Sequence, residues 1–443
     1  SLFLKVFLWG IGHWGLGMSW IIVSVYYYGE TTIALSIFIY ILLVVILTLV
    51  FTSPLLFIRT ILNKISINSD LYVILVISSF LILSELSRYF LLNGVPWLIP
   101  GNIYLDTLTQ NIYPLFGVTL TSYLIYILCS YLAISYHKKN RLFIPILLIV
   151  FSVLPSFNKT FELKEGLTIS IIQPSSDPFL KYDNNYYSTI EDNLIKLLMS
   201  SSKTSEIVVI PEAELPYPIQ STNFNRFINK IDNKDKLIMG VWDVEDNLVY
   251  NSIYNLKNNN SYKKTHLVPF GEYIPFVSSL RGLIGFFELP MSNVSHGPKN
   301  QENILIMNNV NVATPICFDI AFANTVRKMN KSSFLMINIS NDTWFGNSIG
   351  PHHHLSISRV RSIENNRWTI RATNDGISAI INNKGTIVDK LDKGTSGILE
   401  GKVELIENNS FYNRFGYLLS YIISFIIVSL SLSKYLWKKF LIK

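Results

Sequence analysis

The sequence predicts a chain in two parts, a polytopic α-helical membrane base and one water-soluble α/β domain. Apolar residues make up 49% of the 443 residues and charged residues 15%, and the mean hydropathy is +0.33. That is too oily for an ordinary soluble enzyme. The apolar residues are also unevenly spread: residues 1–157 and 411–433 hold long uncharged runs, whereas the stretch between them is rich in Asn, Ser and Lys. Finally, that middle stretch alternates short β-branched runs with two helical periodicities, and polar residues stand just past several strand ends, where α/β folds place chemistry. The expected organisation is a transmembrane helical part over 1–157, a soluble domain over 158–410, and a last helix with a basic tail over 411–443.

In the base, spans are expected at 2–28, 31–57, 71–93, 114–136, 142–157 and 411–433, each near the length needed to cross a bilayer. Gly10, Gly12, Gly15 and Gly17 punctuate the first, a density that favours close helix packing in lipid. Glu85 and Arg88 fall in the third. They either pair or sit near the interface, or they form a polar site within the membrane. The loop over 94–113 has no Lys or Arg and contains Val95-Pro96-Trp97-Leu98.

Basic residues mark the other loops: Arg59 and Lys64, then His137-Lys138-Lys139-Asn140-Arg141, then Lys434, Lys438, Lys439 and Lys443. Basic loops stay cytoplasmic, so residues 158–410 are expected on the far side, in the periplasm of a bacterium, with the base in its inner membrane. These clusters account for much of the net charge of +7, which therefore gives no reason to expect nucleic acid as a partner. Ser1 lies directly inside an apolar run, with no basic leader and no small-residue cleavage site. That is not a signal peptide, and a truncated N-terminus is expected.

In the soluble domain, strands are expected over 167–172, 206–210, 236–242, 248–256, 310–316, 334–339, 367–372, 378–381 and 397–405, and helices over 183–199 and 353–365. The run over 310–316 leads straight into Cys317, as a half-buried strand would deliver a thiol at its end. The chain has two cysteines, and Cys129 lies in an apolar run, so the soluble part cannot form an internal disulfide. A lone thiol is usually a buried structural residue; kept free in an oxidising compartment, it gains weight as a functional one. Glu212 and Lys264 also follow apolar strands. A carboxylate can take a thiol's proton, and an ammonium can stabilise the oxyanion formed after attack. Spacing alone does not show that the three meet; a solvated turn acid and an exposed lysine are the ordinary alternatives.

The longer motifs are more specific. The run Tyr262-Lys263-Lys264-Thr265-His266-Leu267-Val268-Pro269-Phe270-Gly271-Glu272-Tyr273 resembles the lysine motif of apolipoprotein N-acyltransferases, a membrane-integrated branch of the nitrilase superfamily. Pro211-Glu212 resembles the family's glutamate motif, and Ile316-Cys317-Phe318-Asp319 its cysteine motif. Ser340-Asn341-Asp342-Thr343-Trp344-Phe345-Gly346, the helix reaching Arg359 to Glu364, and Arg371-Ala372-Thr373-Asn374-Asp375-Gly376 resemble its downstream blocks. The order and spacing agree over the whole soluble domain, and the Pro96-Trp97 loop agrees in the base.

The resemblance implies an αββα sandwich with a Glu-Lys-Cys triad: Glu212 as general base, Lys264 stabilising the oxyanion, Cys317 as nucleophile and Glu272 assisting the lysine. Tyr273, Asp319, Asn341 and Trp344 are possible pocket residues. It implies a membrane phospholipid as acyl donor, a diacylglyceryl-apolipoprotein as acceptor, a monomer, and no metal or other cofactor. Three departures stand out. Phe318-Asp319 replaces the usual Tyr-Glu, and His353-His354 the usual Gln-His. About two further spans usually precede the segment that opens this sequence. The run His352-His353-His354 lacks a Cys or carboxylate at ligand spacing and is not expected to bind metal. Residues 276–289 form either an arm that dips into lipid or an ordinary buried segment. The competing functions are a membrane-anchored nitrilase-type amidase, against which a six-span base argues, and a catalytically dead scaffold, against which the intact Glu212, Lys264, Glu272 and Cys317 argue.

Overall fold

The computed structural model describes residues 2–29, 31–52, 55–58, 69–90, 94–135, 164–201, 203–269, 271–273, 294–306 and 310–441. The expected span at 142–157, the basic clusters at 59–64 and 137–141, and the segment 276–289 lie outside them. The described residues form two compact units. One comprises Ser1–Ile22, Thr32–Lys159 and Arg414–Lys443; the other comprises Val23–Thr31 and Thr160–Asn413.

The first unit is helical. Among the described residues, Ile33–Ile58, Asp70–Tyr89 and Leu108–Ile134 are long and apolar enough to cross a membrane. Phe3–Gly17 and Trp20–Tyr27 would make a fourth span if taken together, but they bend by 52°. Of the six expected spans, those at 31–57, 71–93 and 114–136 coincide with these three helices, that at 2–28 with the bent pair, and that at 411–433 with a shorter apolar helix, Leu418–Lys434; the one at 142–157 lies outside the described residues. Polar side chains knit the helices where lipid offers no partner. Ser78 Oγ donates to Ser130 Oγ at 3.2 Å, Ser79 Oγ pairs with Tyr123 Oη at 3.1 Å, and Tyr72 Oη pairs with Ser431 Oγ at 2.7 Å.

Glu85 and Arg88 are both buried and stand 3.9 Å apart. Tyr126 donates its hydroxyl to Glu85. Arg88 Nη1 donates to the carbonyls of Trp97 and Leu98, each at 3.1 Å, and its guanidinium lies 4.7 Å from the Trp14 ring centroid. The two charges thus pair and tie down the Pro96-Trp97 loop.

The second unit is a sandwich of two six-stranded sheets, in the orders β12-β1-β2-β3-β4-β5 and β11-β10-β9-β8-β7-β6. The first sheet holds β1 (Lys164–Gln173), β2 (Ile207–Ile210), β3 (Leu237–Glu245), β4 (Leu248–Asn255), β5 (Asn260–Lys263) and β12 (Gly397–Leu405). The second holds β6 (Ile304–Ile306), β7 (Val310–Ala313), β8 (Leu335–Ser340), β9 (Thr369–Thr373), β10 (Ser378–Ile381) and β11 (Ile387–Leu391). Strands β1 to β3 are parallel, as are β7 to β9.

Parallel strands need both faces covered. Helices Tyr187–Ser200 and Thr222–Ile228 cover the first sheet, where Leu194, Leu198, Phe224 and Phe227 pack on Val208, Ile210 and Met239. The helix Gly350–Asn365 lies with the second sheet, and its Leu355 packs on Ala379 and Ile381. The two sheets meet closely: a Cβ on Gly401 of β12 would stand 2.4 Å from Ile380 of β10. The unit is therefore the expected nitrilase-like α/β sandwich.

Several boundaries differ from expectation. The helix expected from 183 starts at Tyr187, because Asp183 turns its carboxylate back to accept from Asn185 N at 2.9 Å. The helix expected from 353 starts at Gly350 with Pro351 in its first turn, where a proline's missing N–H costs nothing. Strand β7 ends at Ala313, and Ile316 returns only as a single bridge to Ile339. Strands β5, β6 and β11 and the helices Thr222–Ile228 and Ala323–Met329 were not anticipated.

Candidate active site

Glu212 follows β2, whose four residues are all buried. Its loop lies against β3: a Cβ on Gly240 would stand 2.5 Å from Glu212 Cα and from the Pro211 carbonyl. Gly240 is what allows that approach. The next residue, Ala213, has φ +43°, a conformation that non-glycine residues seldom adopt. Lys264 follows β5 directly; its backbone N–H donates to Asn251 O at 2.8 Å, which ties it to β4.

These elements converge. Lys264 Nζ donates to Glu212 Oε1 and to Glu272 Oε1, both at 2.9 Å. Asn251 Nδ2 donates to the same two oxygens, at 2.6 and 3.1 Å. The remaining oxygens are also filled: Asn341 N donates to Glu212 Oε2 at 2.7 Å, and Val268 N to Glu272 Oε2 at 2.8 Å. All of these side chains are buried. Burial alone would pull the lysine's pKa down, but the charges of Glu212, Glu272 and Cys317 outweigh it and hold the ammonium well above its ordinary range.

Cys317 opens a short turn, Cys317–Ala321, with φ +44°. Holding a non-glycine residue there costs about 1–3 kcal/mol, and such strain concentrates at functional sites. Cys317 is half-buried. Burial first, and the charge of Glu212 second, push its thiol pKa up, while Lys264 pulls the other way. The structure thus brings Glu212, Lys264 and Glu272 into direct contact and sets Cys317 within their electrostatic reach.

A family model described as the apolipoprotein N-acyltransferase N-terminal domain matches residues 1–157, and one described as carbon-nitrogen hydrolase matches residues 168–407. The chain is 31% identical to the apolipoprotein N-acyltransferase of Wigglesworthia glossinidia brevipalpis, over 93% of this chain and 84% of that protein. It is 30% identical to that of Pasteurella multocida, over 93% and 83%, and 29% identical to that of Haemophilus ducreyi, over 97% and 87%. The chain belongs to the apolipoprotein N-acyltransferase family.

In this family member, Asp319 ties the cysteine turn to the lysine segment. Its Oδ1 accepts from His266 N at 2.8 Å, and its Oδ2 from Tyr262 Oη at 3.1 Å and Ile316 N at 3.3 Å. Burial raises its pKa to about 7, against the pull of the His266 N–H and of Lys264. Phe318 packs edge-on against Phe322, which also stacks on His266 with ring centroids 3.6 Å apart.

The other expected pocket residues have different surroundings. Asn341 reaches Glu212 through its backbone, while its side chain accepts from Thr343 Oγ1 at 2.7 Å and shapes its own turn. Trp344 accepts from Ser24 Oγ at 2.6 Å through its backbone carbonyl. The Tyr273 ring packs beside Ala213, Trp242, Leu267 and Val294.

Two groups escaped the sequence reading. Asn251, which bridges both glutamates, carried one faint signal, a polar residue within the alternating strand β4. The other is a buried chain behind the cysteine. His354 Nε2 meets the Cys317 carbonyl at 3.1 Å and its Nδ1 meets Asp342 Oδ1 at 2.8 Å; Arg371 Nη2 donates to Asp342 Oδ2 at 2.6 Å. Burial opposes the ionised form of Asp342, but Arg371 and then His354 hold its pKa well below the usual carboxylate range. His354 thus fixes the backbone of the cysteine turn.

Proposed function

We propose that the protein transfers a fatty acyl group from a membrane phospholipid to the amino terminus of a diacylglyceryl-cysteine lipoprotein, through a thioester on Cys317. The observation that carries this reading is the buried Glu212–Lys264–Glu272 cluster beside a strained cysteine, in a chain of this family. The raised thiol pKa means that the resting centre is a thiol beside a carboxylate. Attack on the donor's ester carbonyl therefore proceeds as the S–H proton passes to Glu212. Lys264, whose charge both glutamates maintain, stabilises the tetrahedral oxyanion, together with a backbone N–H near Cys317. Collapse expels the lysophospholipid alkoxide, which takes the proton from Glu212 and leaves the thioester. In the second half the acceptor amine attacks the thioester carbonyl, Glu212 takes a proton from it, and the expelled sulfur recovers that proton as the amide forms.

On this reading Glu272 holds Lys264 in place, and Asp319 braces the cysteine turn. The chain is a monomer in a bacterial inner membrane, with residues 158–410 in the periplasm, as the basic loops of the sequence argue. Apolar helices in the same chain suit a reaction in which both substrates are lipids.

Intact mass spectrometry of the full-length protein after incubation with phospholipid tests the proposal. The expected result is a gain of one fatty acyl mass, labile to hydroxylamine and absent from Cys317→Ala. Release of ammonia from a soluble amide, with no acyl adduct, would instead support a nitrilase-type amidase.

A further inference from the structure

A second buried polar pair lies next to Glu212 and takes no part in the chemistry just described. Lys181 sits in the turn Leu180–Tyr182, which follows β1. Glu214 follows β2, two residues beyond Glu212. Both therefore stand past the carboxyl ends of adjacent parallel strands, the side on which α/β sheets bind ligands. Lys181 is 1% exposed and Glu214 0%.

Glu214 is only half satisfied among the described residues. Ser176 donates its hydroxyl to Glu214 Oε1, but Glu214 Oε2 is buried with no hydrogen-bond partner among the described residues. No ion pair joins Lys181 to a carboxylate among the described residues, although the charges of Glu214 and Glu212 both act on it. Burial lowers the pKa of Lys181 and raises that of Glu214, each against the pull of the other. A buried carboxylate oxygen without a partner among the described residues, close enough to a buried lysine to feel its charge, calls for a third party.

The chemistry of the pair selects its ligand. Lys181 offers only donors, and the open oxygen of Glu214 accepts. A phosphodiester offers only acceptors and would meet the Glu214 carboxylate unfavourably. The amino-terminal residue of a lipidated peptide offers both kinds of group, a carbonyl oxygen for the lysine and an amine for the glutamate. We infer that Lys181 and Glu214 seat the amino terminus of the acyl acceptor, the lysine holding the carbonyl of its first residue and the glutamate its amine. This inference rests on the acyl-transfer reading above and names the acceptor's subsite within it.

The test separates the two half-reactions of the full-length protein. Two synthetic acceptors are compared: an S-diacylglyceryl-cysteine dipeptide amide, and S-diacylglyceryl-cysteamine, which keeps the amine but lacks the carbonyl. The unmodified protein is expected to favour the dipeptide by roughly tenfold or more in kcat/KM, the effect of one charge-assisted hydrogen bond. Lys181→Met abolishes that preference, and Glu214→Gln raises KM for the dipeptide by about tenfold. Both variants form the thioester at close to the unmodified rate from phosphatidylethanolamine and from phosphatidylglycerol. Equal use of the two acceptors by the unmodified protein overturns the inference and needs no variant to fold. So does a loss of thioester formation that matches the loss of transfer, which would assign the pair to Glu212 or to the donor headgroup; if the loss is confined to phosphatidylethanolamine, the zwitterionic headgroup is the ligand. Absence of both thioester and N-acyl product in the unmodified protein sinks the acyl-transfer reading itself, a result distinct from the others.

Discussion

The two sheets of the catalytic unit follow one plan and put it to different uses. Each sets three parallel strands between one antiparallel edge strand and two antiparallel strands on the other side. The edge strands change places: β6 follows β5 in the chain but joins the second sheet, and β12 follows β11 but joins the first. In each sheet the central parallel strand, β2 or β8, is wholly buried, and a buried acid stands two residues beyond it, Glu212 or Asp342. Glu212 meets a lysine. Asp342 meets an arginine and a histidine. An ammonium is a compact charge whose donors can be shared with a reacting oxygen, whereas a guanidinium locks a carboxylate into a fixed geometry. On the proposed mechanism one strand end thus supplies a group for proton transfer, while its counterpart supplies a rivet beneath the cysteine turn. The position sets the acid down; its partner determines its use.

The sharpest way to break this comparison is to neutralise each acid in turn. Glu212→Gln should slow thioester formation by roughly 10²–10⁴-fold, with the thermal midpoint nearly unchanged, since Lys264 keeps Glu272 at 2.9 Å. Single-turnover acylation beside a melting curve reads both quantities. Asp342→Asn should do the reverse in order of cause. It strands the buried Arg371 charge, costs on the order of 3–5 kcal/mol of stability, and loses activity in step with folded protein. If Asp342→Asn melted normally yet failed to acylate, Asp342 would belong with the reacting groups and the contrast would collapse.

A smaller effect concerns Asp319, whose folded pKa of about 7 lies above its ordinary value of 3.8. The folded state binds this proton more tightly than the unfolded state. The stabilisation is therefore complete below about pH 4 and is lost as pH rises through 7. Melting curves in detergent should show that decline between about pH 4 and 7, and Asp319→Asn should flatten it.

Much of the site was legible because it lies in continuous runs. Pro211-Glu212, the lysine motif and the cysteine motif each sit at the end of an apolar stretch, and their resemblance to a known family gave the runs their roles. What stayed hidden depends on distant partners. Asn251 reads as an ordinary polar residue until β4 lies between the two glutamate loops. Asp342 reads as a turn residue until β9 brings Arg371 across. The left-handed backbone at Cys317 has no glycine to announce it. The missed strands β5, β6 and β11 all lie at sheet edges; polar residues mask the pattern of β5 and β11, and β6 is only three residues long. The bend after Gly17 was likewise invisible, because hydropathy reports length and apolarity but not direction.

The hydrogen bond from Ser24 to the Trp344 carbonyl spans 320 residues. Val23–Thr31 belongs to the same compact unit as the turn Asp342–Phe345, yet it is synthesised some 320 residues earlier. At the usual pace of about 5–20 residues per second, the early segment waits on the order of tens of seconds for its acceptor. The sandwich unit is therefore completed only after the turn Asp342–Phe345 has emerged. A ribosome that stalls before residue 342 leaves the early segment without the carbonyl that Ser24 binds, so that segment must be held by other means until the second half of the sandwich arrives.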